Sequence, residues 1–263
     1  MNNNTESSIL LDIKENIAII TLNRPKVFNS FNREMALSLQ KCLDECSSND
    51  EVRAIYLIGN GKAFCAGQDL QEVTDPAGPS LTTILKEHYN PIVQRIRQIE
   101  KPIIAAVNGV AAGAGANIAL ACDVVVASST ASFIQAFSKI GLIPDSGGTY
   151  FLPRLIGFQK ASALMMLGDK VTSSEALQLG MIYKVFDENS FLEDSWKIAT
   201  TLAQMPTFGL ALTKKALNES FTNNFDQQLA LEDVLQTAAG KSHDYKEGVN
   251  AFLEKRKPLF IGK

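Results

Sequence analysis

The sequence lacks the residues and spacings that mark several classes of protein. Its four cysteines include no C-x-x-C pair, and its two histidines, His88 and His243, are isolated, so no metal-ligand spacing is present. A basic excess is also missing: the formal net charge is −3, which argues against a general affinity for nucleic-acid phosphates. We therefore expect reduced thiols, no metal and no nucleic-acid partner.

Export and membrane signals are missing as well. The N-terminal stretch MNNNTESSILLD is polar and then strand-like, without the charged-then-apolar pattern of a secretory signal. The longest apolar stretch, Ile103–Ala121, is interrupted by Asn108 and Asn117 and is rich in glycine, unlike a membrane span. We expect a cytoplasmic protein with no membrane partner, and its 46% hydrophobic content supports a substantial core.

Short strand-like runs alternate with helix-like segments over most of the chain. Leu10–Ile13 and Ile17–Leu22 predict a hairpin. The runs Ala54–Ile58, Ile103–Val107 and Val124–Ala127 are apolar throughout, which is typical of buried, parallel strands. This alternation predicts an α/β fold.

The helical predictions rest on caps and periodicity. Asn32 is a suitable cap for a helix with Met35, Leu39, Leu43 and Cys46 on one face. A second helix is predicted over Leu81–Ile99, after a polar loop, Gln71–Ser80, that is either an active-site lid or an ordinary surface loop.

A change of pattern near Met205 divides the chain. Beyond it no strand-like run remains, and the sequence is helical in character to the end. We therefore predict a core at residues 1–205 and a helical region at residues 206–263. Leu229, Leu231, Val234 and Leu235 have little within that region to bury them, which favours an oligomer.

Two turns rich in alanine and glycine follow apolar runs. KAFCAGQDL covers Lys62–Leu70, and VNGVAAGAGANIALACD covers Val107–Asp123. Small residues let a ligand approach the backbone closely, and the second turn leads into a helix whose N-terminal amides attract anions. Two amides that converge on one oxygen would form an oxyanion hole. A third segment, GLIPDSGGT at Gly141–Thr149, supplies Asp145 as a candidate proton carrier.

Other uses of these turns are less consistent with the residues. Ile118 stands where a dinucleotide-binding loop needs its third glycine, and no Gly-Lys-Ser/Thr follows. Pro144 before Asp145-Ser146-Gly147 rules out a G-x-S-x-G nucleophile elbow. A purely structural role, in which alanine and glycine let a helix pack tightly on a sheet, remains open.

Together the three segments resemble the crotonase, or enoyl-CoA hydratase/isomerase, superfamily. The resemblance runs from NIAIITLNRP at Asn16–Pro25 to EGVNAFLEKRKPLF at Glu247–Phe260. It implies a crotonase-like spiral of β-β-α units with a C-terminal helical trimerisation region, a homotrimer or dimer of trimers, and an acyl-CoA thioester substrate. Coenzyme A is then part of the substrate, and no separate cofactor is expected.

Within the superfamily, the chain is most similar to isomerases of ring-1,2-epoxyphenylacetyl-CoA. The similar stretches are FCAGQDL, YNPIV, NGVAAGAGA, AFSKIGLIPDSGGT and SHDYKEGVNAFLEKR. The resemblance implies that the amides of Ala66 and Ala114 form the oxyanion hole and that Asp145 moves the proton. It further implies contacts to coenzyme A from Arg24, Ala63, Gln68 and Asp69, and from Lys257 of a neighbouring subunit. As isolated residues, Arg24 and Lys257 are equally consistent with simple solvation.

Two departures from the family pattern bear on the reaction. Hydratases of the family carry two glutamates, and the aligned positions here hold Asn117 and Phe137. Neither side chain can move a proton, so we expect no hydratase activity. Asp145 could instead cap the helix that follows it.

One acid is enough for an isomerase, because the same group can remove and return a proton. We expect Ile140, Leu142, Ile143 and Phe151 to surround the Asp145 carboxylate and raise its pKa. Tyr89 and Asn90 are expected either to line the acyl pocket or to begin a helix before Pro91.

The sequence therefore favours conversion of ring-1,2-epoxyphenylacetyl-CoA to its oxepin isomer. A Δ3,Δ2-enoyl-CoA isomerase is the second candidate, because it would use the same hole and a single acid. A non-catalytic acyl-CoA sensor or RNA-binding relative is the third; Asp145 and the lack of a basic stripe favour an enzyme over that class.

Overall fold

The computed structural model describes residues 7–263, which form two β-sheets surrounded by helices. Its strands are β1 (Ile9–Lys14), β2 (Ile17–Leu22), β3 (Ala54–Gly59), β4 (Ala63–Cys65), β5 (Ile103–Val107), β6 (Val110–Ala112), β7 (Val124–Ser128), β8 (Ser132–Ile134), β9 (Lys170–Thr172) and β10 (Lys184–Phe186).

The α-helices are α1 (Arg33–Ser48), α2 (Leu70–Thr74), α3 (Leu81–Thr83), α4 (Asn90–Gln98), α5 (Ala114–Leu120), α6 (Gly148–Ile156), α7 (Phe158–Leu167), α8 (Ser173–Gln178), α9 (Phe191–Gln204), α10 (Thr207–Glu219), α11 (Phe225–Ala239) and α12 (His243–Leu253). Pro25–Val27 and Ala136–Ile140 form short 3₁₀ helices, and Ile84–Tyr89 is a π-helical segment between α3 and α4. None of the helices in the described part of the chain is both long and apolar enough to cross a membrane.

The predicted N-terminal hairpin is confirmed. Strands β1 and β2 pair antiparallel, with Lys14 opposite Ile17. Glu15 and Asn16 between them both have positive φ, 53° and 62°, as a two-residue type I′ turn requires.

The central strands of the larger sheet, β3, β5 and β7, are buried on both faces, which explains their uninterrupted apolar sequences. The order of this sheet is β1-β2-β3-β5-β7-β10, and every pairing after the hairpin is parallel. Along β3, Ile55 and Leu57 enter the main core, whereas Ala54 and Tyr56 face a second cluster with Phe191 of α9. This alternation follows from the two-residue period of a strand.

A second sheet, ordered β4-β6-β8-β9, creates the spiral. Strands β3, β5 and β7 lie in the larger sheet, and the strand after each of them, β4, β6 or β8, lies in the smaller one. A helical segment follows each pair. The chain thus repeats a β-β-α unit three times here, so the predicted spiral is confirmed.

The predicted helix after Asn32 is confirmed, whereas the structure differs from the prediction around residues 70–99; helices α6 to α9 were not predicted individually. Helix α1 is capped by Asn32, whose side chain accepts a hydrogen bond from Met35 N at 3.0 Å. The predicted loop Gln71–Ser80 begins as α2, because Asp69 caps it by accepting from Gln71 N at 3.1 Å. The predicted helix Leu81–Ile99 contains the π-helical segment, which buries both His88 and Tyr89.

Polar contacts attach the C-terminal part of the chain to residues that directly precede strands of the larger sheet. Lys214 of α10 is 7% exposed, and its Nζ lies 2.8 Å from Asp123 Oδ2. Arg53 donates to the carbonyl oxygens of Met205 and Phe260, at 2.6 and 2.7 Å. No strand follows Phe186 in the described chain, as expected for a helical C-terminal part. The division at residues 205/206 stays a prediction.

Candidate active site

One cavity of about 650 Å³ brings the three sequence segments together. Its wall includes Gln68 from the first turn, Ala114 from the second and Asp145 from the third. Each lies downstream of a strand of the smaller sheet: β4, β6 and β8 respectively. Adjacent parallel strands end at the same edge of a sheet, and the spiral thereby places these distant segments around one space.

The amide of Ala66 is not the free donor that the sequence predicted. Its N–H donates to the carbonyl oxygen of Phe28 at 2.9 Å. A donor already bonded to the backbone is not available to a substrate oxygen without breaking that bond. The assignment of Ala66 to the oxyanion hole is therefore wrong.

Gln68 supplies the free amide of this turn instead. Phe31 N donates to Gly67 O at 2.7 Å, and Asp69 N donates to Phe31 O at 2.8 Å, as in a parallel bridge between Phe31 and Gln68. In such a bridge the amide of the central residue points away from the partner strand. The Gln68 N–H has no acceptor among residues 7–263.

The second amide is that of Ala114, as predicted from the sequence. Ala114 is the first residue of α5, so its N–H has no acceptor within the helix. A Cβ on Gly67, which has φ of 94°, would lie 2.9 Å from Ala112 O and 3.5 Å from Ala114 N. Only glycine allows the first turn to approach the second this closely, and this brings the two amides to the same cavity.

The side chain of Gln68 makes hydrogen bonds that hold the backbone amide of the same residue in position. Its Oε1 accepts from the Tyr89 hydroxyl at 2.8 Å, and its Nε2 donates to Glu72 Oε2 at 2.9 Å. The other carboxylate oxygen of Glu72 accepts from Arg33 N at 2.7 Å. Burial raises the pKa of Tyr89 well above its usual value, so the phenol stays protonated as the donor to Gln68.

Asp145 lies in a tight turn whose next two residues, Ser146 and Gly147, have φ of 51° and 76°. Ser146 Oγ donates to Asp145 Oδ1 at 2.8 Å. Burial raises the pKa of Asp145 to about 6, although the Ser146 hydrogen bond acts in the opposite direction. Gly147, not Asp145, is the N-cap of α6, and no side chain caps that helix. The carboxylate is therefore not held as a helix cap.

The apolar surroundings of Asp145 differ in part from the prediction. Ile140, Leu142 and Ile143 line the same cavity as Asp145, but Ile140 is 56% and Ile143 81% exposed, so the prediction that they surround the carboxylate stays a prediction. Phe151 does not line the cavity: its ring packs against the backbone of Gly147, behind the turn. Ile84 and Leu85, which sequence analysis assigned only to a helix, also line the cavity.

Tyr89 and Asn90 satisfy both predictions made for them. Both line the cavity, and Asn90 is the first residue of α4.

The two positions that hold glutamates in hydratases supply no acid here. Phe137 lines the cavity with its ring 6% exposed. Asn117 is fully buried and donates from Nδ2 to the backbone oxygen of Asp145 at 2.9 Å. Within the described residues, Asp145 is the only acidic side chain that lines the cavity.

The predicted coenzyme A residues divide into two groups. Arg24 Nη1 lies 2.9 Å from Asp69 Oδ2, immediately beside Gln68, and Ala63 is buried in β4. Lys257 is exposed and bonds to Gln204 at 3.1 Å, away from the cavity of its own subunit. Contacts of these residues with coenzyme A stay predictions.

Neither metal nor thiolate chemistry finds support in the described residues. In residues 7–263 no group of three or more histidine, cysteine or acidic side chains could hold a metal ion. Burial raises the pKa of both Cys65 and Cys122 to about 12, so these thiols remain protonated at neutral pH.

Comparison with known proteins gives a consistent assignment. Residues 12–263 match the family model described as enoyl-CoA hydratase/isomerase. The chain is 47% identical over 258 residues to the 1,2-epoxyphenylacetyl-CoA isomerase of Escherichia coli (strain K12), covering 97% of this chain and 98% of the relative. It is 45% identical over 257 residues to a Rhodobacter capsulatus protein named "Probable enoyl-CoA hydratase", with coverage of 97% and 98%.

The fold agrees with this assignment. The crystal structure of enoyl-CoA hydratase from Bacillus anthracis superposes with a TM-score of 0.90 at 31% identity, covering 97% of this chain and 100% of that one. The family match over nearly the whole chain, the two similar relatives and the shared spiral show that this protein belongs to the enoyl-CoA hydratase/isomerase, or crotonase, family of acyl-CoA enzymes.

Proposed function

We propose that the protein is an isomerase of acyl-CoA thioesters that works through an enolate. The amides of Gln68 and Ala114 bind the thioester oxygen, and Asp145 transfers the proton. The observation that carries this proposal is the position of Asp145 as the only acid that lines the cavity in the described chain, with a pKa raised to about 6. A group with a pKa near the working pH can both accept and return a proton.

The chemistry conserves all atoms of the substrate. Asp145 removes a proton from the carbon next to the thioester carbonyl, and the electrons of the broken C–H bond move toward the carbonyl oxygen. The two N–H groups stabilise the negative oxygen, each contributing about 3 kcal/mol in a site that excludes water. Protonated Asp145 then returns the proton to a different atom of the enolate, which yields an isomer.

We further propose ring-1,2-epoxyphenylacetyl-CoA as the substrate and its oxepin isomer as the product. In this thioester the α-carbon is attached to an epoxide carbon, so the enolate electrons can break that C–O bond and leave the oxygen on the neighbouring ring carbon. The oxygen then bonds again to the first ring carbon while the C–C bond between the two former epoxide carbons breaks, which expands the ring to seven members. Protonated Asp145 returns its proton to a ring carbon, so the composition is unchanged. The similarity to the Escherichia coli isomerase supports this substrate, and Ile84, Leu85 and Phe137 supply an apolar wall for a ring.

A panel of purified thioesters tests the proposal. We expect ring-1,2-epoxyphenylacetyl-CoA to give a product of unchanged mass and altered ultraviolet spectrum. Isomerisation of a 3-enoyl-CoA without conversion of the epoxide would favour the second candidate, a Δ3,Δ2-enoyl-CoA isomerase. Binding of RNA at physiological salt, with no thioester converted, would favour a non-catalytic family member.

Crotonyl-CoA belongs in the same panel. We expect negligible hydration, because Asn117 and Phe137 cannot supply or accept the protons that water addition requires. Mass spectrometry would detect the gain of one water molecule. Hydration as fast as isomerisation would contradict the roles that we assign to these two positions.

The pH dependence of catalysis should report Asp145. The base acts as a carboxylate, so kcat/KM for α-proton exchange should be constant above the pKa and fall about tenfold per pH unit well below pH 6. Measurement between pH 4.5 and 8, with folding monitored by circular dichroism, checks this. If kcat/KM instead began to fall only near the ordinary pKa of aspartate, the carboxylate would not be desolvated in the free enzyme.

We also propose a homotrimer or a dimer of trimers. The C-terminal helices leave large apolar side chains exposed, including Val234 at 63% and Phe252 at 82%, whereas Leu235 packs within the subunit. Such side chains are stabilised by contact with another subunit. In such an assembly, Lys257 would bind the coenzyme A of a neighbouring subunit. Light scattering at micromolar concentration should give the mass of three or six chains, and a monomeric mass would contradict the proposal.

A further inference from the structure

Two buried amide side chains lie directly behind the turn that carries Asp145. Asn117 of α5 is 0% exposed, and Gln135, between β8 and the following 3₁₀ helix, is 4% exposed. Asn117 Nδ2 donates to the backbone oxygen of Asp145 at 2.9 Å, and Gln135 Nε2 donates to Asn117 Oδ1 at 2.8 Å. The two side chains thus form a chain of hydrogen bonds that ends at Asp145.

The direction of this chain is fixed by its last member. A backbone oxygen can only accept a hydrogen bond, so Asn117 must direct its NH₂ group toward Asp145. Its carbonyl oxygen then faces Gln135, which must present its own NH₂ group. Gln135 therefore determines the orientation of the Asn117 amide, although Gln135 makes no hydrogen bond to Asp145 itself.

Asn117 also connects the oxyanion amide of Ala114 with the turn that carries the proposed base, Asp145. It lies three residues after Ala114 in α5, so one short helix carries both an oxyanion amide and the group that binds the turn of the base. The contact is close: a Cβ on Gly148, next to that turn, would overlap the Asn117 amide. Glycine at position 148 is what lets the amide reach the Asp145 backbone.

We propose that Asn117, oriented by Gln135, is a positioning residue that sets the place of the Asp145 carboxylate relative to the oxyanion amide of Ala114. This inference rests on the proposed function, in which Asp145 is the base. Proton transfer depends steeply on geometry, and a displacement of about 1 Å can cost roughly a hundredfold in rate. The side chain at the position of a hydratase glutamate would thus act through the backbone of the base.

The test uses exchange of the α-protons of phenylacetyl-CoA in deuterated water, because this thioester has no epoxide to rearrange. Asn117→Leu removes the donor at similar volume, and we expect kcat for exchange to fall about tenfold to a hundredfold, with KM changed less than about threefold. Gln135→Met should lower kcat less, because Asn117 remains. It should cause no further loss in the Asn117→Leu background, since Gln135 acts only through Asn117.

An Asp145→Asn background separates positioning from damage to the fold. There, Asn117→Leu should lower the residual exchange by no more than about twofold, because no carboxylate is left to position. Ser195→Ala is the matched control: it removes a buried hydrogen bond of 2.7 Å to Tyr56, and neither residue lines the cavity. It should lower the melting temperature and leave kcat unchanged.

Each contrary result has a distinct meaning. An unchanged kcat in both Asn117→Leu and Gln135→Met overturns the inference, as does an equal loss with and without Asp145. If Asn117→Leu fails to fold, Gln135→Met decides alone: its kcat must fall with little change in KM. Normal exchange by Asp145→Asn itself would instead show that Asp145 is not the base, so the proposed function and the inference would both be wrong.

Discussion

Asparagine in place of Asp145 is expected to lower both α-proton exchange and isomerisation at least about a hundredfold, the lower end of the contribution of a general base. The amide has nearly the same shape as the carboxylate and can still accept the Ser146 hydrogen bond of 2.8 Å. It cannot take up a proton from the substrate. Acyl-CoA binding should persist, because Gln68 and Ala114 contribute only backbone amides, and the loss should appear in kcat rather than in KM.

Asp75→Asn provides the comparison for this variant. Asp75 is an exposed acid in the loop that follows α2, and it does not line the cavity. The same chemical change there should leave exchange and isomerisation within about twofold of the parent protein. If Asp145→Asn retained near-normal rates, the catalytic base would have to be sought elsewhere.

Proline in place of Ala114 should have an effect of similar size by a different route. Ala114 is the first residue of α5, where proline fits the helix and no intrahelical hydrogen bond is lost. The substitution removes the N–H group and places a ring carbon where the thioester oxygen binds. Loss of one oxyanion donor lowers kcat by about a hundredfold to a thousandfold, and stopped-flow or quenched-flow measurement of isomerisation would show it.

Ala114→Gly is the control for that variant, because it keeps the N–H and removes only the methyl group. Its rate should stay within about threefold of the parent, apart from a small cost in helix stability. A full rate for Ala114→Pro would mean that the enolate oxygen binds elsewhere. Equal losses in both variants would indicate that the methyl group, and not the amide, matters.

Most of the larger sheet could be predicted from the sequence because strands β1, β2, β3, β5 and β7 contain separate apolar runs; β10, only three residues long, was not predicted. The smaller sheet could not. Its strands β4 and β6 are three residues long and lie inside the segments that sequence analysis interpreted as turns. They pair with each other across more than forty residues of chain, and no local periodicity reports such a pairing. Only the family resemblance predicted the spiral.

The misassigned oxyanion amide has a similar cause. Ala66 and Gln68 are two residues apart, and residue type does not reveal which N–H is already bonded. Which of the two N–H groups is free depends on the hydrogen bonds that residues 66–69 make with Phe28 and Phe31, and these two residues lie more than thirty positions earlier in the sequence. Asp145 could be proposed as the base from the sequence because its own side chain would carry the proton. The role proposed for Asn117 could not be inferred in this way, since its partner is a backbone oxygen.

The three repeats of the β-β-α unit divide the reaction into separately encoded parts. In the proposed mechanism, the first two units supply Gln68 and Ala114, which bind the thioester oxygen, and the third supplies Asp145, which transfers the proton. A chimaera that received only residues 136–149 from a relative would therefore carry a different proton-transfer group beside an unchanged pair of oxyanion amides. In this architecture both the removal of the proton and the fate of the enolate can be altered by exchanging one short segment, without rebuilding the amides that bind the oxygen.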